Sequence, residues 1–145
     1  MEKGARFTRI LAIIGSMLLW LPLAAPVVFA LAYFFGSGKL MLDFLLPFEV
    51  FPLVLLGSGM LIWAAFRSKL RIKHIVWAFA AAILLMALGL VLAQVSGLAS
   101  GRIEPGGTWN KLVMALLVAA DIALVVTAVG GILLVRELLK KSPEI

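Results

Sequence analysis

Apolar residues dominate this chain in four long stretches, and charged residues fall almost entirely in the short segments between them. The stretches cover approximately residues 10–35, 44–66, 75–95 and 109–135. Each is close to or longer than the roughly 20 residues with which an α-helix crosses a bilayer. None shows the alternation of a barrel strand. The pattern therefore predicts an all-α membrane protein, a bundle of four transmembrane helices.

The composition indicates that lipid surrounds these helices. Of 145 residues, 64% are hydrophobic and 14% are charged, whereas soluble domains are about 45–50% apolar. The length predicts a single membrane domain over residues 1–145. The first apolar stretch is longer than the core of a signal peptide, about 7–15 residues, so it is interpreted as a transmembrane helix.

Basic residues are distributed unequally between the connecting segments. The N-terminal segment, the connection between the second and third stretches and the C-terminal tail hold ten of the 13 Lys and Arg residues. Short cytoplasmic loops carry such an excess. The sequence predicts a multi-pass protein of the cell (plasma or inner) membrane with both termini in the cytoplasm. This bias also explains the net charge of +6, and we expect no nucleic-acid partner.

The residue inventory excludes several chemistries. The chain has no cysteine, which removes disulfides, thiol redox chemistry and thiolate metal sites. Its one histidine, His74, lies in a basic connection, so haem or zinc sites built on paired histidines within one chain are excluded. The sequence shows no nucleophile–base pair and no phosphate-binding Gly-rich motif. We expect no cofactor, no metal site and no enzymatic activity.

One carboxylate falls inside an apolar stretch. Asp121 lies ten residues after Lys111 and fifteen before Arg136, about 15 Å and about 22 Å along a helix. A carboxylate at the centre of a span costs about 2.5–3.5 kcal/mol on insertion scales, and no basic residue of this chain lies at its depth. Three interpretations remain open: a helix–helix hydrogen bond, a proton- or cation-coupling group, and a contact with a basic group of a partner protein.

Four other residues could contribute to a polar site with Asp121. Glu49, near the outer end of the second stretch, is either an interfacial carboxylate favoured by the helix dipole or a second ion or partner contact. Gln94 lies near the outer end of the third stretch. Pro22 and Pro26 predict a kink in the first helix at roughly the depth of Asp121. The carbonyls that they free could serve an ion site or be satisfied by neighbouring helices.

Small residues recur at every fourth position of the last stretch. They are Ala115, Ala119, Ala123, Thr127 and Gly131. This spacing places them on one slowly turning face, which lets another helix pack closely. Asp121 lies about 160° from Ala123 around the helix. We therefore expect the fourth helix to contact protein on two sides.

Two classes of function fit these observations. The first is a small non-enzymatic membrane protein that acts by helix association, as an accessory subunit of a membrane complex or as a homo-oligomer. Its partners would be the lipid bilayer and another membrane-protein chain. The alternative is a small proton- or cation-linked transporter or channel with Asp121 as the coupling carboxylate. Polar residues are too few in the spans for a wide aqueous path.

Overall fold

A computed structural model describes residues 2–38, 51–102 and 106–141. This part of the chain forms four α-helices and no strand: α1 Glu2–Ser37, α2 Phe51–Ser68, α3 Ile72–Val95 and α4 Thr108–Lys140. All four are long and apolar enough to cross a membrane. The predicted all-α class and the four helices are confirmed. The predicted start of the second helix, near residue 44, lies outside the described residues.

Three helices are longer than the apolar stretches predicted for them. Each extends at the end of the helix that carries basic residues. α1 begins at Glu2, α3 begins at Ile72, and α4 continues to Lys140. Lys, Arg and Glu favour helix nearly as well as Leu does. The added turns also pack, because Thr8 is buried and Leu138 lies against the core. The apolar pattern marks only the part of each helix that suits lipid, so it misses these polar turns.

The helices pack in the spatial order α2–α1–α4–α3. α1 and α2 form one antiparallel hairpin and α3 and α4 form another. The two are joined mainly by the contact between α1 and α4, with smaller contacts of α2 with α3 and with α4, where Leu61 lies against Gly131. The start of α1, the α2–α3 turn and the end of α4 lie together, since Arg67 lies beside Gly4 and Arg71 bonds Glu137. We call this the basic end of the bundle and the opposite end the far end.

The core is made of small residues together with a few branched side chains. The fully buried small residues include Ala12, Ala64, Ala65, Ser58 and Ala128, and the larger buried residues include Leu19, Leu61, Ile75 and Leu134. Many large apolar side chains point outward instead, among them Leu21, Val28, Phe35, Leu84 and Ile122. Small residues at helix contacts and large apolar residues outside are the arrangement expected in lipid, where tails are as apolar as leucine.

The α2–α3 turn is tight and tied to α4. Lys69 and Arg71 both have left-handed backbone conformations, with φ of 55° and 50°, which few residues other than glycine adopt. The Arg71 Nε donates a hydrogen bond to Oε1 of Glu137 at 2.6 Å, and both side chains are 34% exposed. The pair fixes the start of α3 to the end of α4.

Candidate functional site

Asp121 lies on a side of α4 that flanks the core. Its neighbour Ala120 is buried, Ile122 is exposed, and Asp121 itself is half-buried. No residue in the described part of the chain forms a hydrogen bond or an ion pair with the Asp121 carboxylate. The bundle therefore places this carboxylate at its own surface without supplying a donor from the described residues.

A groove between α1 and α4 runs along the same face of α4. It has a volume of about 140 Å³ and is lined by Ile13, Ser16, Met17, Ile132 and Val135. Asp121 lies eleven residues before Ile132, which is about three helical turns and about 16 Å toward the far end. The two residues therefore point in nearly the same direction from α4. We call this the α1–α4 groove; Asp121 lies outside it, in line with its α4 wall.

The register between α1 and α4 places Asp121 level with the second proline of α1. Gly131 lies against Ser16, because a Cβ at Gly131 would be 3.5 Å from the Ser16 Oγ. The helices are antiparallel, so each step along α1 matches one step back along α4. By this register Asp121 is level with Pro26, whose missing N–H leaves the carbonyl of Pro22 without its helical donor.

α1 continues as one helix through both prolines. Pro22 is buried and Pro26 is half-buried. The helical assignment includes both residues, and the kink expected at this point stays a prediction.

Gln94 is not brought to Asp121. Gly130 lies beside Ile75, where a Cβ would be 3.2 Å from Cγ1 of the isoleucine. That register places the exposed Gln94 about ten residues, or 15 Å, nearer the far end than Asp121. Glu49 lies outside the described residues. Of the two predicted polar site residues that the structure describes, Asp121 is half-buried in the middle part of its helix and Gln94 is exposed near the end of its own.

No family model, no curated protein and no solved structure matches this chain. Among the described residues, no three His, Cys, Asp or Glu side chains lie close enough together to hold a metal ion. A single carboxylate can accept hydrogen bonds, hold a proton or contact a cation.

The predicted ladder of small residues on α4 enters the core only over part of its length. Gly131 and Thr127 are buried, and Ala123 packs partly against the core. Ala119 is half-buried and Ala115 is exposed. The ladder therefore serves the bundle's own packing near the basic end and turns away from the core toward the far end.

Three buried polar atoms lack a hydrogen-bond partner among the described residues. They are the Nε of Arg9, the Nε1 of Trp20 and the Oγ of Ser58. An unsatisfied buried donor costs about 1–3 kcal/mol. Trp20 packs against the core between helices, whereas Arg9 lies at the basic end in a groove that the sequence did not indicate.

Proposed function

We propose that this chain is a non-enzymatic integral membrane protein that acts by helix association. The observation that carries the proposal is Asp121, a half-buried carboxylate within an apolar helix that has no donor among the described residues. In hydrocarbon, such a group requires donors, water or a proton. A helix from a second chain in the α1–α4 groove would bring donors to it.

Two features support a membrane location with the basic end in the cytoplasm. The three segments that contain most of the Lys and Arg residues meet at one end of the bundle. Near that end, Trp63 and Trp77 are 60% and 75% exposed, as expected for rings that lie at a membrane interface.

The α4 surface around Asp121 has the spacing of a helix-pairing seam. Its residues, separated by four, three, four and seven positions, are Met114, Val118, Asp121, Val125 and Ile132. The four apolar members are all exposed, and this heptad-like spacing suits a second helix. A single polar residue in an apolar seam fixes the register and the number of chains. We call this surface the Asp121 seam.

The partner is either a second copy of this chain or a subunit of a membrane complex. A second copy would place two Asp121 carboxylates together, and they could share one proton. A different subunit would supply an amide, hydroxyl or basic donor at this depth. Each arrangement removes the cost of leaving the carboxylate without a donor.

Cysteine cross-linking in membranes tests the association. The chain has no cysteine, so each single-cysteine variant reports one position. We expect Val118→Cys, on the seam, to cross-link to a second copy or to a co-purifying chain. The matched control is Leu88→Cys on α3, which lies at about the depth of Val118, since Gly89 lies beside Leu117, and which is also exposed; it should not cross-link.

Substitution of Asp121 separates the kinds of partner. Asp121→Leu removes the polar contact and should dissociate the complex. Asp121→Asn should preserve a complex held by neutral hydrogen bonds and weaken one held by a basic partner. A chain that is monomeric in membranes, purifies alone and is unaffected by Asp121→Leu would overturn the proposal.

A second candidate function is a proton- or cation-linked transporter or channel. It is favoured by the position of Asp121 at the level of Pro26, where a carboxylate and a freed backbone carbonyl could serve one ion. In liposomes this function requires pH-dependent flux that Asp121→Asn abolishes without changing assembly. If the protein acts only by helix association, neither the wild type nor Asp121→Asn should show flux.

A further inference from the structure

A second groove lies at the basic end, between the start of α1, the end of α2 and the end of α4. It is open and has a volume of about 410 Å³, within the range of about 300–1,000 Å³ that small-ligand sites occupy. Arg9, Arg67 and Lys141 contribute three positive charges to its wall, and none of the described lining residues is acidic. We call it the basic groove.

The cations of the basic groove are not neutralised by carboxylates of the described chain. Glu137, which precedes the lining residue Leu138, bonds Arg71 instead. The Nε of Arg9 is buried and has no hydrogen-bond partner among the described residues. A buried donor without an acceptor is unfavourable, and an oxyanion in the groove would supply a charge-assisted one.

The guanidinium group of Arg67 already contacts an aromatic ring of α1. Its Cζ lies 5.5 Å from the centre of the Phe7 ring, a cation–π contact. Gly4 permits this approach, since a Cβ there would be 3.3 Å from the Arg67 Nη2. A cation that is already positioned loses less conformational entropy on binding.

The hydroxyl groups in the basic groove are already used within their helices. The Thr8 hydroxyl donates to the carbonyl oxygen of Gly4 at 2.9 Å, and the Ser68 hydroxyl donates to that of Ala65 at 3.2 Å. The available donors are therefore those of the cations, which favours a ligand that only accepts hydrogen bonds.

We propose that the basic groove binds a phosphate group, supplied in a membrane by the headgroup of an anionic phospholipid. Guanidinium groups match phosphate oxygens with paired hydrogen bonds. Leu70 and Leu138 give the groove an apolar wall, and the exposed Phe7 ring beside Arg67 adds apolar surface. Basic pockets between helices at the cytoplasmic side suit anionic headgroups.

Charge-matched double variants test the site. The full-length chain is purified in neutral phosphatidylcholine nanodiscs, and the binding of added phosphatidylglycerol or phosphatidic acid is measured by native mass spectrometry. The double substitution Arg9→Gln with Arg67→Gln should weaken binding about 25-fold, at about fivefold for each basic residue. The control, Arg6→Gln with Lys73→Gln, removes two exposed charges outside the groove and should leave binding unchanged.

Inorganic phosphate distinguishes a lipid headgroup from a soluble source. Titration of phosphate into protein in neutral detergent should compete with the lipid at high concentration only. If inorganic phosphate binds more strongly than either lipid, the groove is still a phosphate site, but its ligand is a soluble phosphate compound and not a lipid headgroup. Equal losses in the two double variants, or no loss in the groove variant, would overturn the site.

A charge-preserving variant covers the case in which the double substitution does not fold. Arg67→Lys retains the positive charge but loses the planar group that pairs with phosphate and stacks on Phe7. We expect its lipid binding to fall while its net charge stays the same. Wild-type binding by Arg67→Lys would rule out the guanidinium–phosphate pair.

Discussion

Gly15 and Gly57 bring the backbones of α1 and α2 into direct contact. A Cβ at Gly15 would lie 2.9 Å from the carbonyl oxygen of Gly57, and a Cβ at Gly57 would lie 3.0 Å from that of Gly15. Both residues are buried. The contact is reciprocal and involves backbone on each side, so neither helix can accept a methyl group there without moving apart.

We predict that Gly57→Ala destabilises the bundle although alanine favours helix. Overpacking costs about 1–3 kcal/mol, which exceeds the gain of about 0.5–1 kcal/mol from replacing a helical glycine. Gly59→Ala is the matched control in the same helix, because a Cβ there meets nothing within 4 Å. Reversible unfolding in mixed micelles should show lower stability for the first variant and equal or higher stability for the second. The opposite order would refute the close contact.

We predict a small effect from breaking the pair between Arg71 and Glu137. Its Nε–Oε1 distance is short, but both side chains are about one-third exposed, and partly exposed pairs contribute about 0–1 kcal/mol. Glu137→Gln should lower the free energy of unfolding by no more than this, and less so at high salt. A double-mutant cycle with Arg71→Gln measures the coupling. A coupling of several kcal/mol would show that solvent screening is weaker than we assume.

The orientation of the chain can be tested at exposed positions on both ends of the bundle. From the distribution of Lys and Arg, Ser37→Cys and Ser100→Cys should react with an impermeant maleimide added to intact cells. Lys73→Cys and Lys140→Cys should react only after permeabilisation. All four side chains are exposed, so access is decided by the membrane. Labelling of Lys73→Cys in intact cells would reverse the topology.

The predicted kink in α1 can be measured as a distance. Spin labels at Ile10→Cys and Phe35→Cys, both exposed, would be about 37 Å apart along a straight helix. We expect a shorter distance in the wild type and a longer one in Pro26→Ala, because alanine restores the donor to the carbonyl of Pro22. Identical distances in the two proteins would show that α1 is not bent there.

The four helices could be predicted from the sequence because a span in lipid requires a long apolar segment. The pairing of the helices could not be predicted, because a helix that is apolar on all sides has no apolar stripe to mark its buried face. In α3, Ala81 is exposed and Ala82 is buried, yet the two are chemically identical. The close contact at Gly57 was missed for the same reason, because a glycine in a span does not identify its partner.

The sequence predicts how deep Asp121 lies in the bundle, but it does not predict which side chains surround it. Counting along the sequence from Arg9 and Lys111 places Asp121 near the prolines, and the register of α1 and α4 agrees. The missing donor depends on side chains from other helices, which no count along one helix can give. The basic groove depends on Arg9, Arg67 and Lys141, which come from three separate segments and meet only in the fold.

The order of the helices constrains how the protein is made. α1 and α2 are consecutive and can pair as soon as both have left the ribosome. Ser16, however, lies against Gly131, which follows it by 115 positions in the sequence. The first hairpin must therefore wait, with the α4-facing side of α1 uncovered, until α3 and α4 have been synthesised. During that interval, this surface is open to chaperones, insertion factors and wrong partners.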